Sequence, residues 1–193
     1  MKRYTTLVVL MSLSMAPVAA ALETFEFTST DPLVIEDGIQ WLRLTFDEPG
    51  MEIADLELEI NGLTHPSGGG LNIFLIDPFG TGLESMDDRG GQTAISNVNL
   101  RFNDLATDVL PVDAEILSGL YLTEAGLGPP LPFSVFTDGG TDAWTLLVLD
   151  DDPDQQGPGS IESFTLRGTI IPEPATLSLL ALGALAALRR KRP

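Results

Sequence analysis

The sequence predicts an all-β fold, a sandwich or barrel of antiparallel strands, and three observations support this class. Apolar residues alternate with polar ones at the two-residue period of a strand, as in Leu56–Ile60 and Val98–Phe102. Clusters of Gly, Pro, Asp and Glu recur between the apolar stretches, as turns between short strands require. No interior stretch carries a helical apolar stripe over three turns. Many short strands at this spacing are typical of a sandwich or barrel.

The expected strands follow one another through a single domain. Leu71–Ile76 and Trp144–Leu149 are almost continuously apolar, so we expect them in the middle of the sandwich, covered on both faces. Trp144 and Phe164 flank an acidic loop and should pack in the core. The other expected strands are Thr24–Phe27, Ile39–Phe46, Leu56–Ile60, Val98–Phe102 and Ser160–Ile171, with shorter pieces at Leu117–Leu122 and Phe133–Phe136.

Residues 1–21 have the three parts of a secretory signal peptide. Lys2 and Arg3 precede an apolar run from Leu7 to Met15, and small alanines follow. We expect signal peptidase to cleave after Ala20 or Ala21. The β-domain, residues 22–171, is therefore expected outside the cytoplasm.

Residues 172–193 combine a proline motif, a short apolar run and a basic end. Pro172, Glu173 and Pro174 come first, and the apolar run Ala175–Leu188 follows. The basic end consists of Arg189, Arg190, Lys191 and Arg192. In this order the segment resembles the PEP-CTERM sorting signal of Gram-negative bacteria.

This resemblance implies a sorting helix that exosortase, a membrane-embedded cysteine protease, recognises and cuts. The protein would cross the inner membrane, be held there transiently by its tail, and then reach the cell surface or the medium. A permanent anchor is the alternative. The fourteen apolar residues of Ala175–Leu188 fall below the about 17 to 25 that span a bilayer, which favours the temporary anchor.

The charge of the domain excludes one class of partner. Four of the ten basic residues and all 28 acidic residues lie between Glu23 and Glu173, so this stretch has a net charge of −24. Nucleic acid is excluded because its phosphates would be repelled. Cysteine is absent, so the exported domain must be stabilised by its core rather than by disulfides.

An acidic loop predicts a calcium site. Asp150, Asp152 and Asp154 recur at the alternate spacing with which calcium loops supply oxygen ligands. An EF-hand is excluded because Gln155 stands where that motif needs Gly, and Ile161 where it needs Glu. Further ligands could come from Asp87, Asp88, Asp138 or Asp142. The alternative is a solvated hairpin loop without metal.

The residue inventory argues against an enzyme. His65 is the single histidine, cysteine is absent, and no Gly-x-Ser-x-Gly motif occurs. We therefore expect His65 to be a structural residue at a strand end. A glycosidase needs only two carboxylates, so a hydrolase of unrecognised type stays open.

Several blocks in the domain carry a second resemblance. The blocks are Leu56–Ile60, Leu63–His65, Leu71–Thr81, Asn99–Ala106, Ser118–Tyr121, Ala143–Asp150 and Gly159–Leu166. In this order they are similar to the P domain (P/Homo B) that follows the catalytic domain of subtilisin-like proprotein convertases, which implies a jelly-roll-like sandwich. Pro66–Gly70 departs from the family, which carries an aromatic step and a Gly-Asp pair there. The family's catalytic domain has no counterpart in these blocks.

Three functions are compatible with these features. The first is a non-enzymatic surface or matrix protein, associated with exopolysaccharide, whose sandwich is an interaction or structural unit. The second is a carbohydrate- or protein-binding module, which needs exposed aromatic residues; the candidates are Trp41, Phe79, Tyr121 and Phe133. The third is the unrecognised hydrolase.

Overall fold

Two β-sheets form the domain in a computed structural model of the chain. The structure describes residues 22–29, 31–45, 51–124, 131–136, 138–139, 143–152, 157–171 and Gly183. The signal peptide, the basic end, the Pro172–Pro174 motif and Phe46 therefore lie outside the described residues. The chain divides into Ala21–Glu173 and a unit made of the two terminal segments, and the following description concerns the former.

Twelve strands and one short helix are described, and most coincide with the predicted strands. Eight strands, β1, β2, β4, β7–β9, β11 and β12, form the larger sheet, and β3, β10, β5 and β6 form the smaller one in that order. All described pairs are antiparallel except β7 with β8. The elements are β1 Glu23–Thr28, β2 Leu33–Ile35, β3 Gly38–Thr45, β4 Met51–His65, β5 Leu71–Ile76, β6 Gly82–Asp87, β7 Ile95–Phe102, β8 Gly119–Tyr121, a 3-10 turn Phe133–Val135, β9 Asp138–Gly139, β10 Ala143–Asp150, β11 Gly159–Ile161 and β12 Ser163–Ile171.

The core lies between the inner faces of the two sheets. Alternate residues of β10 are buried, beginning with Trp144, and their partners on β5 are buried with them. Trp144 packs edge-on against Phe136 with ring centroids 5.1 Å apart, and Phe164 of β12 is also fully buried. The prediction that Trp144 and Phe164 lie in the core is confirmed.

The Phe133–Phe136 segment differs from the expected short strand. Phe133 and its neighbours form a 3-10 turn after Pro132. The Asp104 carboxylate accepts hydrogen bonds from the backbone N–H groups of Phe133, at 2.7 Å, and of Ser134, at 3.3 Å. These bonds satisfy the free donors at the start of the turn, so the apolar run closes into a turn instead of extending.

The turn between β5 and β6 is capped by its own aspartate. The Asp77 carboxylate accepts hydrogen bonds from the N–H groups of Phe79, at 2.9 Å, and Thr81, at 2.7 Å. Gly80 has a φ of +89°, which costs glycine little. The Asp-Pro-Phe-Gly sequence therefore caps its own turn.

Candidate functional site

The acidic loop begins at a buried contact between an aspartate and the histidine. Asp150 ends β10 with 3% of its surface exposed, and its Oδ2 lies 3.4 Å from Nε2 of His65, which is 1% exposed. The other ring nitrogen, Nδ1, is hydrogen-bonded to the carbonyl oxygen of Ser67. The pair joins the end of β4 to the end of β10 inside the protein. His65 is thus the last residue of its strand, as predicted, and both of its ring nitrogens contact protein oxygens.

The three predicted calcium ligands lie in different settings. Asp150 points inward on its strand, whereas Asp152 follows the strand and donates its backbone N–H to Oδ1 of Asp150 at 3.3 Å. Asp154 lies outside the described residues, as do Asp142 and the side chain of Asp138. Among the described residues, no group of three His, Asp or Glu side chains could hold a metal ion. Calcium binding at Asp150, Asp152 and Asp154 therefore stays a prediction.

Two of the suggested helper residues approach the same loop. Asp88 receives a hydrogen bond from Nδ2 of Asn72 at 3.4 Å, and its backbone N–H donates to the Leu71 carbonyl at 3.3 Å. Burial raises the pKa of the Asp88 carboxyl above its ordinary value, and the negative charges of Asp151 and Asp87 raise it further. Carboxylates from two separate segments therefore repel one another at this end of the smaller sheet.

The sequence did not predict an ion pair that lies beside this end of the smaller sheet. Nε of Arg89 lies 2.6 Å from the carboxylate of Glu124, which is 6% exposed and also accepts the backbone N–H of Asp87 at 3.2 Å. Burial raises the pKa of Glu124, and Arg89 opposes this effect. Glu124 thus holds the end of β6, and its 35-residue separation from Arg89 left no local signal.

The three glycines that depart from the P-domain pattern have a packing role. A Cβ atom on Gly68 would lie 1.9 Å from the carbonyl oxygen of Arg89, and one on Gly70 would lie 2.3 Å from Cβ of Asp152. The backbone of this loop therefore approaches two other segments more closely than any side chain allows.

The outer face of the smaller sheet is apolar and partly exposed. Ile39 and Trp41 on the edge strand β3 are 63% and 56% exposed. Leu147 of β10 is paired with Trp41 on one side and with Phe74 of β5 on the other. Leu147 and Phe74 are half-buried. Leu149 is paired with Ile39 in the next row. We call these five residues the apolar face.

This arrangement corrects one expectation about the central strands. β5 and β10 are indeed the two middle strands of their sheet, but apart from Asn72 only their inner residues are buried. Leu147, Leu149 and Phe74 point outward and stay half-buried. The continuous apolar sequence of β5 and β10 therefore gives each strand one face in the core and one apolar face on the outside of the sheet. Arg43 adds a cation to this face, with its Cζ 4.8 Å from the centroid of the Trp41 ring.

The outer face of the larger sheet is charged instead. Arg167 of β12 stands between Glu26 of β1 and Glu57 of β4 in one row of paired residues. Its guanidinium lies 3.6 Å from carboxylate oxygens of both, and it is hydrogen-bonded to Glu59. Arg101 of β7 lies 4.0 Å from Glu57. We call these five residues the charged face. A groove of about 440 Å³ beside it is lined by Thr24, Phe25, Glu26, Asp55, Glu57, Asn103, Arg167, Gly168 and Thr169.

The four predicted aromatic candidates divide between surface and core. Trp41 lies on the apolar face, and Phe79 is 68% exposed in the turn after β5. Phe133 is 2% exposed and belongs to the core, so its assignment to an exposed patch is wrong. Tyr121 is half-buried and donates its hydroxyl to the Leu117 carbonyl at 2.9 Å. The sequence analysis missed the apolar neighbours of Trp41 because their common face depends on the order of the strands.

Comparisons with known proteins bear on the C-terminal tail. Residues 171–192 match the PEP-CTERM protein-sorting motif, which indicates an exported protein that exosortase sorts through a membrane-anchored C-terminal signal. No curated protein matches the chain. In the described part of the chain no helix is long and apolar enough to span a membrane.

Two solved structures are among those that match part of this chain. The serine protease of Aeromonas sobria has a TM-score of 0.49 and 12% identity, over 78% of this chain and 27% of that one. The complex of Aeromonas sobria serine protease (ASP) with the chaperone ORF2 has a TM-score of 0.49 and 14% identity, over 79% of this chain and 28% of that one. This chain thus spans little more than a quarter of the length of those chains.

Proposed function

We propose that the mature protein is a non-enzymatic interaction module of the cell surface or the extracellular matrix, and that it binds its partner through the apolar face. The observation that carries this proposal is the exposure of Trp41 and Ile39 beside half-buried Leu147 and Phe74. Apolar side chains held together on a flat sheet lose unfavourable contact with water when a partner covers them.

The route to the surface follows from the two terminal signals. Signal peptidase removes the signal peptide by cutting after Ala20 or Ala21. Exosortase cuts near Pro172, Glu173 and Pro174 while the apolar run lies in the inner membrane of a Gram-negative cell and the basic end stays on its cytoplasmic side. Mass spectrometry of the exported form tests this step. We expect a C-terminus near Pro172–Pro174, and a mature protein that retains Arg189–Arg192 would show a permanent anchor instead.

The P-domain assignment is part of the same proposal. The resembling blocks fall on β4, β5, β7, β8, β10, β11 and β12, and Asp77 caps the turn that follows β5. In this proposal the sandwich is used without a protease and acts as a binding or stabilising unit for another surface component.

Burial of the histidine supports a role without catalysis. His65 is 1% exposed, and its ring nitrogens contact Ser67 and Asp150, so a substrate could not reach the ring without opening the end of the sandwich. A general base must lie within hydrogen-bonding reach of its substrate. We therefore assign His65 a structural role between β4 and β10.

Co-purification from the extracellular fraction tests the proposed interaction. The tagged, processed protein is isolated from culture medium and washed cells, and its associated polysaccharide and protein are measured. We expect material that is retained by the native protein and lost with Trp41→Ala, whereas Phe79→Ala, an exposed aromatic substitution outside the apolar face, retains it. Equal retention by both variants would contradict the proposal.

A further inference from the structure

We propose that the apolar face binds an uncharged polysaccharide, with the Trp41 indole stacked against the apolar face of a sugar ring. This inference rests on the proposed function and names the partner class. Trp41, Leu147 and Phe74 lie in one row across three adjacent strands, so their side chains stand side by side on the sheet. An exposed indole among aliphatic groups offers sugar C–H groups a flat apolar surface.

The size of the face favours a glycan over a protein. The five residues lie on three strands at about 4.8 Å spacing and in two rows, each about 7 Å deep along the strands, which gives a surface of about 14 by 14 Å, or about 200 Å². A stable protein interface takes about 800 Å² from each partner. The apolar face is therefore too small to hold a second copy of the chain, and it suits a short stretch of a polymer that can extend beyond its edges.

The negative charge of the domain disfavours an anionic polymer. The stretch between Glu23 and Glu173 carries −24, and Glu84 and Asp87 lie on β6 at the border of the face. An anionic polysaccharide would be repelled by this field, as would a second copy with the same charge. An uncharged chain meets no such penalty. Repulsion therefore favours a neutral glycan over an anionic one and over a second copy of the chain.

Polar side chains around the face can bind sugar hydroxyl groups. Arg43 lies over the Trp41 ring, and Thr145 is paired with Arg43 on the neighbouring strand. Glu84 is paired with Phe74 at the other end of the Trp41 row. Donors and an acceptor thus stand on both sides of an apolar centre, which is the usual composition of a ligand site.

Affinity electrophoresis tests this inference with the processed, exported protein. The native gels contain hydroxyethyl cellulose, dextran, alginate, or the neutral polysaccharide fraction purified from the producing cells. We expect retardation in at least one uncharged polymer and none in alginate. Trp41→Ala should bind about tenfold more weakly, since removing one stacking ring costs about this much in other aromatic platforms. Phe79→Ala is the matched control and should bind as the native protein does.

The outcomes separate this inference from the proposed function. Retardation that Trp41→Ala leaves unchanged, binding to alginate alone, or no retardation in any gel would each overturn the glycan assignment. If the extracellular fraction still shows Trp41-dependent co-purification of protein in the last case, the interaction module survives and its partner is a protein. A Trp41-dependent dimer in sedimentation would also overturn the inference, because the occupant would then be a second copy.

Discussion

The two outer faces of the sandwich differ in polarity: one carries charged side chains and the other carries exposed apolar side chains. On the larger sheet, Arg167 stands among Glu26, Glu57 and Glu59, so three carboxylates of that face share a cation within the protein. On the smaller sheet, Trp41 and Ile39 are more than half exposed and their neighbours are apolar. The comparison shows that the core between the two sheets stabilises the sandwich. The carboxylates on the outer face of the larger sheet contact an arginine of the same protein, whereas the outer face of the smaller sheet leaves apolar surface exposed that a partner can cover.

The two tryptophans give the largest test of this difference. Trp144→Ala should lower the free energy of unfolding by about 3–5 kcal/mol, because a fully buried ring is lost from the core. Trp41→Ala should change it by less than about 0.5 kcal/mol, because the ring is already exposed. Urea unfolding measures both. A comparable loss for Trp41→Ala would show that the apolar face belongs to the folded core, and the comparison would fail.

The buried pair at the acidic end gives the next effect. Asp150→Ala removes the oxygen that faces Nε2 of His65 and the acceptor of the Asp152 N–H, so we expect a loss of about 1–3 kcal/mol. Asp151→Ala, the exposed neighbour, is the control and should stay within about 0.5 kcal/mol. Equal stability of the two variants in urea would remove Asp150 from the structural framework and leave its carboxylate available to a cation.

Substitution of Arg167, the central cation of the charged face, tests whether the stability of the two faces depends differently on salt. Arg167→Ala should cost up to about 1 kcal/mol at low salt, since the carboxylates of the charged face lose their shared partner at a partly exposed position. Added sodium chloride should shrink this difference, because it screens the charges. The stability change of Trp41→Ala should not respond to salt. A salt-independent loss at Arg167 would assign its role to packing.

The smallest expected effect concerns the crowded carboxylates. Asp88→Asn should raise stability slightly at neutral pH, because repulsion by Asp151 and Asp87 disappears, and asparagine tolerates the φ of +49° at this position.

The pH dependence checks the sign of this effect. The folded protein binds the Asp88 proton more tightly than the unfolded chain does, so stability falls as the pH rises above 3.8 through the raised pKa. The variant should lack this part of the loss in melting scans from acid to neutral pH. Identical pH profiles would show that the repulsion is screened by solvent. Millimolar calcium that stabilises the native protein more than sodium of equal ionic strength, and does less for the variant, would support the calcium prediction.

Local sequence predicted the regular strands because their pattern is local. Leu71–Ile76 is the observed β5, and Val98–Phe102 lies within β7. β2 was not predicted because its three residues are too few to show an alternation of apolar and polar side chains. β6 escaped because Ser85 and Met86 are both buried where the pairing shifts, which breaks the period of two.

The candidate sites depend on contacts that no local pattern contains. His65 and Asp150 are 85 residues apart, and Asp104 lies 29 residues from the turn that it caps. The exposure of Trp41 follows from the position of β3 at the edge of its sheet, which only the strand order fixes. Composition predicted the acidic loop, but the inward direction of Asp150 required the register of β10.

Fluorescence quenching tests the central claim most directly, because the chain has two tryptophans in opposite settings. Acrylamide, which is uncharged, should quench the exposed Trp41 and leave the buried Trp144 largely protected. Addition of the neutral polysaccharide fraction from the producing cells should remove most of the accessible quenching from the exported protein. Unchanged quenching at saturating polysaccharide, with binding demonstrated independently, would contradict the assignment of the apolar face as the binding surface.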